Sequence, residues 1–178
     1  MPLRNSNNSG KQPIMILRFT RKLSQKLRIN ALQDCNYEVN PFEEWYGHLF
    51  TANRIQYILF TNAYSLYSII VPGKGIITLR DFIDLTFSWL NEVLKVDKCE
   101  MIMQKFITPS TEIIDVCKTN NRVILGSMND MINQSKFFLS EFNLSPLEVS
   151  KRLNETPYSY LKYNNPLSII KQFVIKED

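Results

Sequence analysis

Three runs of aromatic and β-branched residues in the first half of the chain have the pattern of β-strands. They are Trp45–Thr51, Ile55–Phe60 and Leu66–Val71. Three residues separate the first run from the second and five separate the second from the third, and connections this short are typical of hairpins. The pattern predicts an antiparallel meander that ends at Pro72–Gly75, where proline and glycine break the strand.

Two shorter apolar runs predict further strands outside the meander. Ile14–Phe19 is apolar and rich in strand formers, and Glu112–Lys118 has a similar character. After the first run, Thr20 is positioned to cap a helix that would turn Leu23 and Leu27 inward.

Helical periodicity dominates the rest of the sequence. Apolar residues recur at steps of three, four or seven after residue 120, and these positions predict one continuous helix face: Ile124, Met128, Met131, Phe138 and Phe142. Thr78–Asp81 and Ser145–Glu148 have the spacing of capping boxes. A helix near residue 100 is expected to stop at Thr108–Ser110, and a last short helix to start at Asn165.

These elements together predict one α+β domain. The expected sheet is small and mainly antiparallel, with helices packed on one face. Residues 1–13 are polar and predict a flexible basic leader, residues 14–142 the domain, and residues 143–178 a helical C-terminal extension packed on it. At 178 residues the chain is long enough for a substantial core.

The net charge of +4 is unevenly distributed. Residues 1–33 carry seven basic side chains and no acidic one, so the remainder carries about −3 by subtraction. Five of the basic residues are candidate phosphate contacts: Arg18, Arg21, Lys22, Lys26 and Arg28. The alternative is a solvated helix face without a ligand.

The three cysteines are an odd number without a close pair. Their spacing predicts buried free thiols, and it fits neither a zinc site nor a disulfide framework. No segment is long and apolar enough to cross a membrane, and no secretion signal is evident. We therefore expect a cytoplasmic protein without a metal or another cofactor.

His48 is the only histidine. On a strand it would share a face with Tyr46, while Trp45 and Gly47 share the other. A histidine can act as a general base, although a half-buried structural role is the alternative. Ser127 lacks the flanking glycines of a hydrolase nucleophile elbow, which argues against that class of enzyme.

The segment from residue 119 to residue 131 is unusually polar for a helix start. Arg122 and Asp130 lie about two turns apart on one face and could form a polar patch with Asn129. Gly126 between them would let another backbone or a ligand approach closely. The alternative is that these residues tie the helix to the meander. Because Arg122 and Asp130 flank the inward-facing Ile124 and Met128, we expect at least one of them to be partly buried.

Four segments resemble a family of bacterial proteins described only as a domain of unknown function. They are Ile16–Leu23, Trp45–Leu49, Leu59–Asn62 with Leu66–Ser68, and the R-x-x-x-G-S-M-N-D motif of residues 122–130. The resemblance covers residues 14–140 and singles out Trp45, His48, Asn62, Arg122 and Asp130. It implies a compact cytosolic protein and no particular activity, with the segment after Ser145 as a tail that relatives need not share.

Two classes of function fit these observations. The first is a non-enzymatic binding module for a protein partner or, with less support, for nucleic acid. The aromatic-rich loop after residue 153 and the basic N-terminal third favour it. The second is a ligand-binding or enzymatic site built from His48, Arg122 and Asp130, with Ser127 or Asn129 orienting a polar group.

Overall fold

The computed structural model describes residues 14–36 and 38–175, and the predicted leader of residues 1–13 lies outside this range. The described chain forms a five-stranded sheet in the order β4-β3-β2-β1-β5. The strands are β1 (Met15–Phe19), β2 (Glu44–Ala52), β3 (Ile55–Asn62), β4 (Ser68–Pro72) and β5 (Ile114–Lys118).

The predicted meander is confirmed. β2 pairs antiparallel with β3, and β3 pairs antiparallel with β4. β1 pairs in parallel with β2 on one side and β5 on the other, which makes the sheet mixed. β1 therefore lies in the interior of the sheet, and its residues are fully buried.

Helices account for the rest of the fold. They are α1 (Arg21–Lys26), α2 (Leu79–Val96), α3 (Glu100–Ile102), α4 (Thr108–Ser110), α5 (Arg122–Ser140), α6 (Pro146–Glu155) and α7 (Pro166–Ile175). Both predicted capping boxes are present: Thr78 with Asp81 starts α2, and Ser145 with Glu148 starts α6. Each box satisfies two amide groups that a helix start would otherwise leave without a partner.

The expected stop at Thr108–Ser110 is confirmed, because the helical path ends at Ser110, although Pro109 itself does not interrupt it. The chain continues from α3 through a π-helical turn (Met103–Ile107) into α4, and Pro109 lies within α4. A proline has no amide hydrogen, and its ring meets the carbonyl four residues earlier. The wider π-helical turn gives that carbonyl room, so the helical path survives.

Helices cover both faces of the sheet, which corrects the prediction of one covered face. On one face, α1 and α2 bury Leu17, Trp45 and Phe60. On the other, α5 and α6 bury Tyr46 and Leu59 with their neighbours. The result is a helix–sheet–helix sandwich with two apolar layers.

The C-terminal segment closes one edge of the sheet. The outward amide of Ser68 in β4 donates to Asn154 Oδ1 at 2.8 Å, and Asn154 Nδ2 donates to the Ser68 carbonyl at 2.9 Å. The next outward amide, that of Ile70, donates to Ser150 Oγ at 2.8 Å. α6 thus occupies the hydrogen-bonding positions that an adjacent strand would take.

The prediction of three free thiols is also wrong. Cys35 and Cys117 form a disulfide with their Cα atoms 5.8 Å apart, whereas Cys99 is free and buried. The partners are 82 residues apart in sequence, which is why spacing gave no sign of the pair. The bond attaches the loop before β2 to β5.

Candidate functional site

The early end of β1 leaves half of β2 without a neighbour on one side. β1 stops at Phe19, opposite Gly47, and the chain turns into α1. β2 continues to Ala52 and is paired there with β3 alone. A Cβ on Gly47 would lie 2.6 Å from Leu23 of α1, so the glycine lets α1 lie close against the strand.

The hydrogen-bond pattern shows which groups of β2 face the vacated side. Ala63 N donates to the Glu44 carbonyl, so the even-numbered residues of β2 bond to β3. Thr20 N donates to the Gly47 carbonyl, so the odd-numbered residues face β1. The main-chain groups of Leu49 and Thr51 therefore point past the end of β1, because bonding sides alternate along an antiparallel strand. We call these groups the free edge of β2.

The free edge forms the floor of a cavity of about 860 Å³. Lys22, Gln25 and Lys26 of α1 form one wall, and residues of α5 form the other. The α5 residues lie on one face of that helix: Asn129, Ile132, Asn133 and Lys136. We call this space the lysine cavity, because three lysines and no Asp or Glu line it.

His48 lies on the α5 side of the lysine cavity. Its Nδ1 atom is buried and has no hydrogen-bond partner within the described residues. Burial lowers the pKa of His48 below 6.5, and the charges of Lys22 and Lys136 lower it further. The imidazole is therefore neutral at pH 7, in a site where the potential is positive.

The cavity has few internal partners for its cations. Lys26 Nζ donates to Gln56 Oε1 at 2.8 Å, and this is the one lysine contact within the cavity among the described residues. A neutral amide leaves the ammonium charge uncompensated. Three such charges facing one open space favour an anion there.

The structure does not bring the expected triad together. Arg122 and Asp130 do not line the lysine cavity with His48, and both side chains are exposed. Within the described residues neither side chain makes a hydrogen bond or ion pair, so the expected burial of one of them is wrong. Of the polar patch predicted on α5, Asn129 alone lines the cavity.

Gly126 and Ser127 have ordinary helical roles. No heavy atom lies within 4 Å of a Cβ built on Gly126, so nothing approaches closely there. Ser127 Oγ donates to the Val123 carbonyl at 3.2 Å, one turn back along the same helix. Asn121 caps α5 by accepting from the amides of Val123 and Ile124.

Trp45 and Asn62 hold the fold together. Trp45 is buried, stacks on Phe60 and donates from Nε1 to the Phe42 carbonyl at 2.8 Å. Asn62 is fully buried; its amide donates to Pro41, and its oxygen accepts from both the amide and the hydroxyl of Ser65. Both residues lie on the α1–α2 side of the sheet, and neither lines the lysine cavity.

The five candidate phosphate contacts are separated. Arg18 is buried, forms an ion pair with Glu44, and donates to the carbonyls of Lys118 and Cys35, so it is not available to a ligand. Arg21 lines a smaller cavity of about 380 Å³, and Arg28 is exposed just after α1. Lys22 and Lys26 line the lysine cavity.

Sequence reasoning missed Lys136 and Asn133. Their signal was present: residues 129, 133 and 136 form a polar stripe at helical spacing beside the apolar face of α5. More than a hundred residues separate this stripe from Lys22 and Lys26. Only the packing of α1 and α5 on opposite faces of β2 brings them together.

Comparison with protein families gives one match. The model of DUF6933, a domain of unknown function, matches residues 16–168. The chain belongs to this family. The matched range extends through α6 to residue 168, so the segment from Ser145 to that residue is part of the family domain and not a tail that relatives need not share. Comparison with curated proteins and with solved structures finds no match.

No helix in the described range is long and apolar enough to span a membrane. No cluster of His, Cys, Asp and Glu side chains suited to a metal ion occurs in that range either.

Proposed function

We propose that this protein is a non-enzymatic binding module that captures an anionic group of a partner in the lysine cavity. The observation that carries the proposal is the composition of the cavity: Lys22, Lys26 and Lys136 face one space without an acidic residue. Charged side chains of one sign in a concave site raise the local concentration of the opposite charge. Asn129 and Asn133 add amide donors for the oxygens of a carboxylate or phosphate.

An enzymatic role for His48 has less support. A neutral imidazole can act as a base, but catalysis also needs an oriented nucleophile or acid within hydrogen-bond reach. Among the described residues His48 Nδ1 has no partner, and Arg122 and Asp130 lie outside the cavity.

A bacterial origin and a cytoplasmic location remain predictions. The Cys35–Cys117 bond argues against a strongly reducing compartment.

The test is titration calorimetry with tripolyphosphate as a compact anionic probe. We expect Lys22→Gln and Lys136→Gln each to weaken binding about fivefold, because one charge-assisted contact contributes about 1 kcal/mol at a partly exposed site. Lys151→Gln, an exposed lysine on α6, removes the same charge away from the cavity and should change affinity less than about twofold. Equal effects of all three substitutions would show that binding depends on net charge alone.

A further inference from the structure

The two outer edges of the β2–β3–β4 meander differ in whether their outward main-chain groups have hydrogen-bond partners. At β4, side chains of α6 occupy the outward positions: Asn154 bonds both main-chain groups of Ser68, and Ser150 bonds the amide of Ile70. At the free edge of β2, no described group bonds the outward amides and carbonyls of Leu49 and Thr51. An uncovered strand edge is a template for pairing with another extended chain.

The surroundings of the free edge fit an extended chain better than a compact ion. The cavity runs along β2 between α1 and α5, and its floor presents two amides and two carbonyls in alternation. A fully ionised phosphate or a lone carboxylate can accept from the amides but cannot donate to the carbonyls. A peptide main chain does both, with the spacing that a strand requires.

The charges on the two walls of the cavity indicate which side chains a bound segment should carry. Successive residues of an added strand point to opposite faces of the sheet. One would point toward Lys22 and Lys26 on α1, and the next toward Lys136 and Asn133 on α5. Apart from Ile132, the residues of both walls are basic or polar, and no carboxylate lines the cavity, so adjacent acidic residues are complementary to the site.

We propose that the lysine cavity binds a short, extended, acidic segment of a partner protein, which adds to the sheet at Leu49 and Thr51. This inference rests on the proposed function, because it names the class of partner for the same cavity. The main-chain bonds would supply part of the affinity, and the lysines on the two walls would select acidic side chains.

The probe is a fluorescein-labelled, capped hexapeptide, Ser-Val-Glu-Glu-Val-Ser, whose two glutamates point to opposite walls. Binding is followed by fluorescence polarisation, and the Gln-Gln version of the peptide is the control for charge. We expect the acidic peptide to bind at least tenfold more tightly than the control. Lys26→Gln and Lys136→Gln should each reduce this difference.

A matched pair of substitutions tests the strand pairing. Thr51→Pro removes an outward amide that takes no part in the β2–β3 ladder, so the fold keeps its hydrogen bonds. Thr51→Val changes the side chain but keeps the amide. We expect Thr51→Pro to weaken peptide binding at least tenfold and Thr51→Val to change it less than about twofold.

N-methylated peptides give a second measurement that leaves the protein unchanged. Methylating the glutamate amide that faces β2 should abolish binding, and methylating the other glutamate should not, because bonding sides alternate. The N-methylated peptides therefore still test the strand pairing if Thr51→Pro does not fold.

The outcomes separate the two levels of the proposal. If tripolyphosphate binds in a lysine-dependent way but the acidic peptide does not, the site is a small-anion site and the peptide inference is overturned. Tighter binding of single-stranded or duplex nucleic acid than of the peptide, with a steep salt dependence, would also overturn it. If neither tripolyphosphate nor the peptide binds, the proposed function fails as well.

Discussion

At the scale of single residues, His48 reports directly on the lysine cavity. It is the only histidine, so its ring protons can be followed by NMR without assignment. We expect a pKa below 6.5, because burial and the charges of Lys22 and Lys136 disfavour the imidazolium. The Lys136→Gln variant should have a higher pKa than the wild type, and so should wild-type protein with the acidic peptide bound.

The lowered pKa of His48 also makes the free energy of unfolding depend on pH. Between the lowered pKa and 6.5, the unfolded chain binds more protons than the folded one. The contribution of His48 to the free energy of unfolding is therefore fully present above this window and is lost as the pH falls through it. In melting curves, the free energy of unfolding of wild type should therefore fall relative to that of His48→Gln as the pH decreases through this window. A His48 pKa at or above 6.5 would contradict this account of the cavity.

The residues that the sequence singled out have mixed outcomes, for a physical reason. Periodicity identifies an inward face, so Ile124 and Met128 were correctly placed in the core. It does not show where a helix ends, and Phe142, two residues beyond α5, is 59% exposed. A polar motif such as Arg122–Asp130 does not reveal its neighbours, and here the described structure places no partner against either charge.

At the scale of elements, the local signals were reliable and the layering was not. Capping boxes and strand runs depend on neighbours in sequence, and all of those were found. The predicted cap by Thr20 is the exception, because its side chain makes no cap bond to α1. The second covered face also had a signal. Ile58–Phe60 and Ile69–Val71 are continuous apolar runs, and a strand with one face in water alternates instead. Where these runs occur, both faces of the sheet are buried.

The hydrogen bonds from α6 to the β4 edge should make a measurable contribution to the free energy of unfolding. Asn154→Ala would leave the amide and carbonyl of Ser68 buried and without partners, which should lower the free energy of unfolding by about 3 kcal/mol. Glu155→Ala, on the exposed face of the same helix, is the control and should change it by less than about 0.5 kcal/mol. Urea unfolding of wild type, Asn154→Ala and Glu155→Ala measures both changes in the free energy of unfolding. Similar midpoints for Asn154→Ala and wild type would mean that water or another group replaces the amide.

At the scale of the whole molecule, the candidate site depends on topology. β1 is inserted between the meander and β5, and its early end at Phe19 opens the side of β2. The crossover through α1 then places two lysines above the opening, and α5 supplies the third from the other face. None of this follows from local pattern, because it requires knowing which strands pair. The fold class was predictable from the sequence, whereas the composition of the cavity was not.

The disulfide is the second long-range feature, and it should stabilise the whole fold. Closing a loop of 82 residues restricts the unfolded chain, and the chain-entropy model gives about 4.5 kcal/mol for a loop of this size. The Cys35→Ser, Cys117→Ser double variant should therefore melt well below wild type. Cys99→Ser, which changes a free buried thiol, should have a much smaller effect.

Alkylation under denaturing conditions tests the bond itself. The chain has three cysteines, so mass spectrometry should find one alkylated thiol without reductant and three after reduction. In the presence of reductant, the melting temperature of wild type should fall toward that of the double serine variant, whose own melting temperature should not change. Three alkylated thiols in unreduced protein isolated under conditions that block thiol exchange would show that Cys35 and Cys117 are adjacent but not bonded. The loop before β2 would then be held to β5 by the hydrogen bond from Lys118 N to the Gln33 carbonyl, by the Lys118–Asp34 ion pair, and by Arg18, which donates to the carbonyls of Lys118 and Cys35.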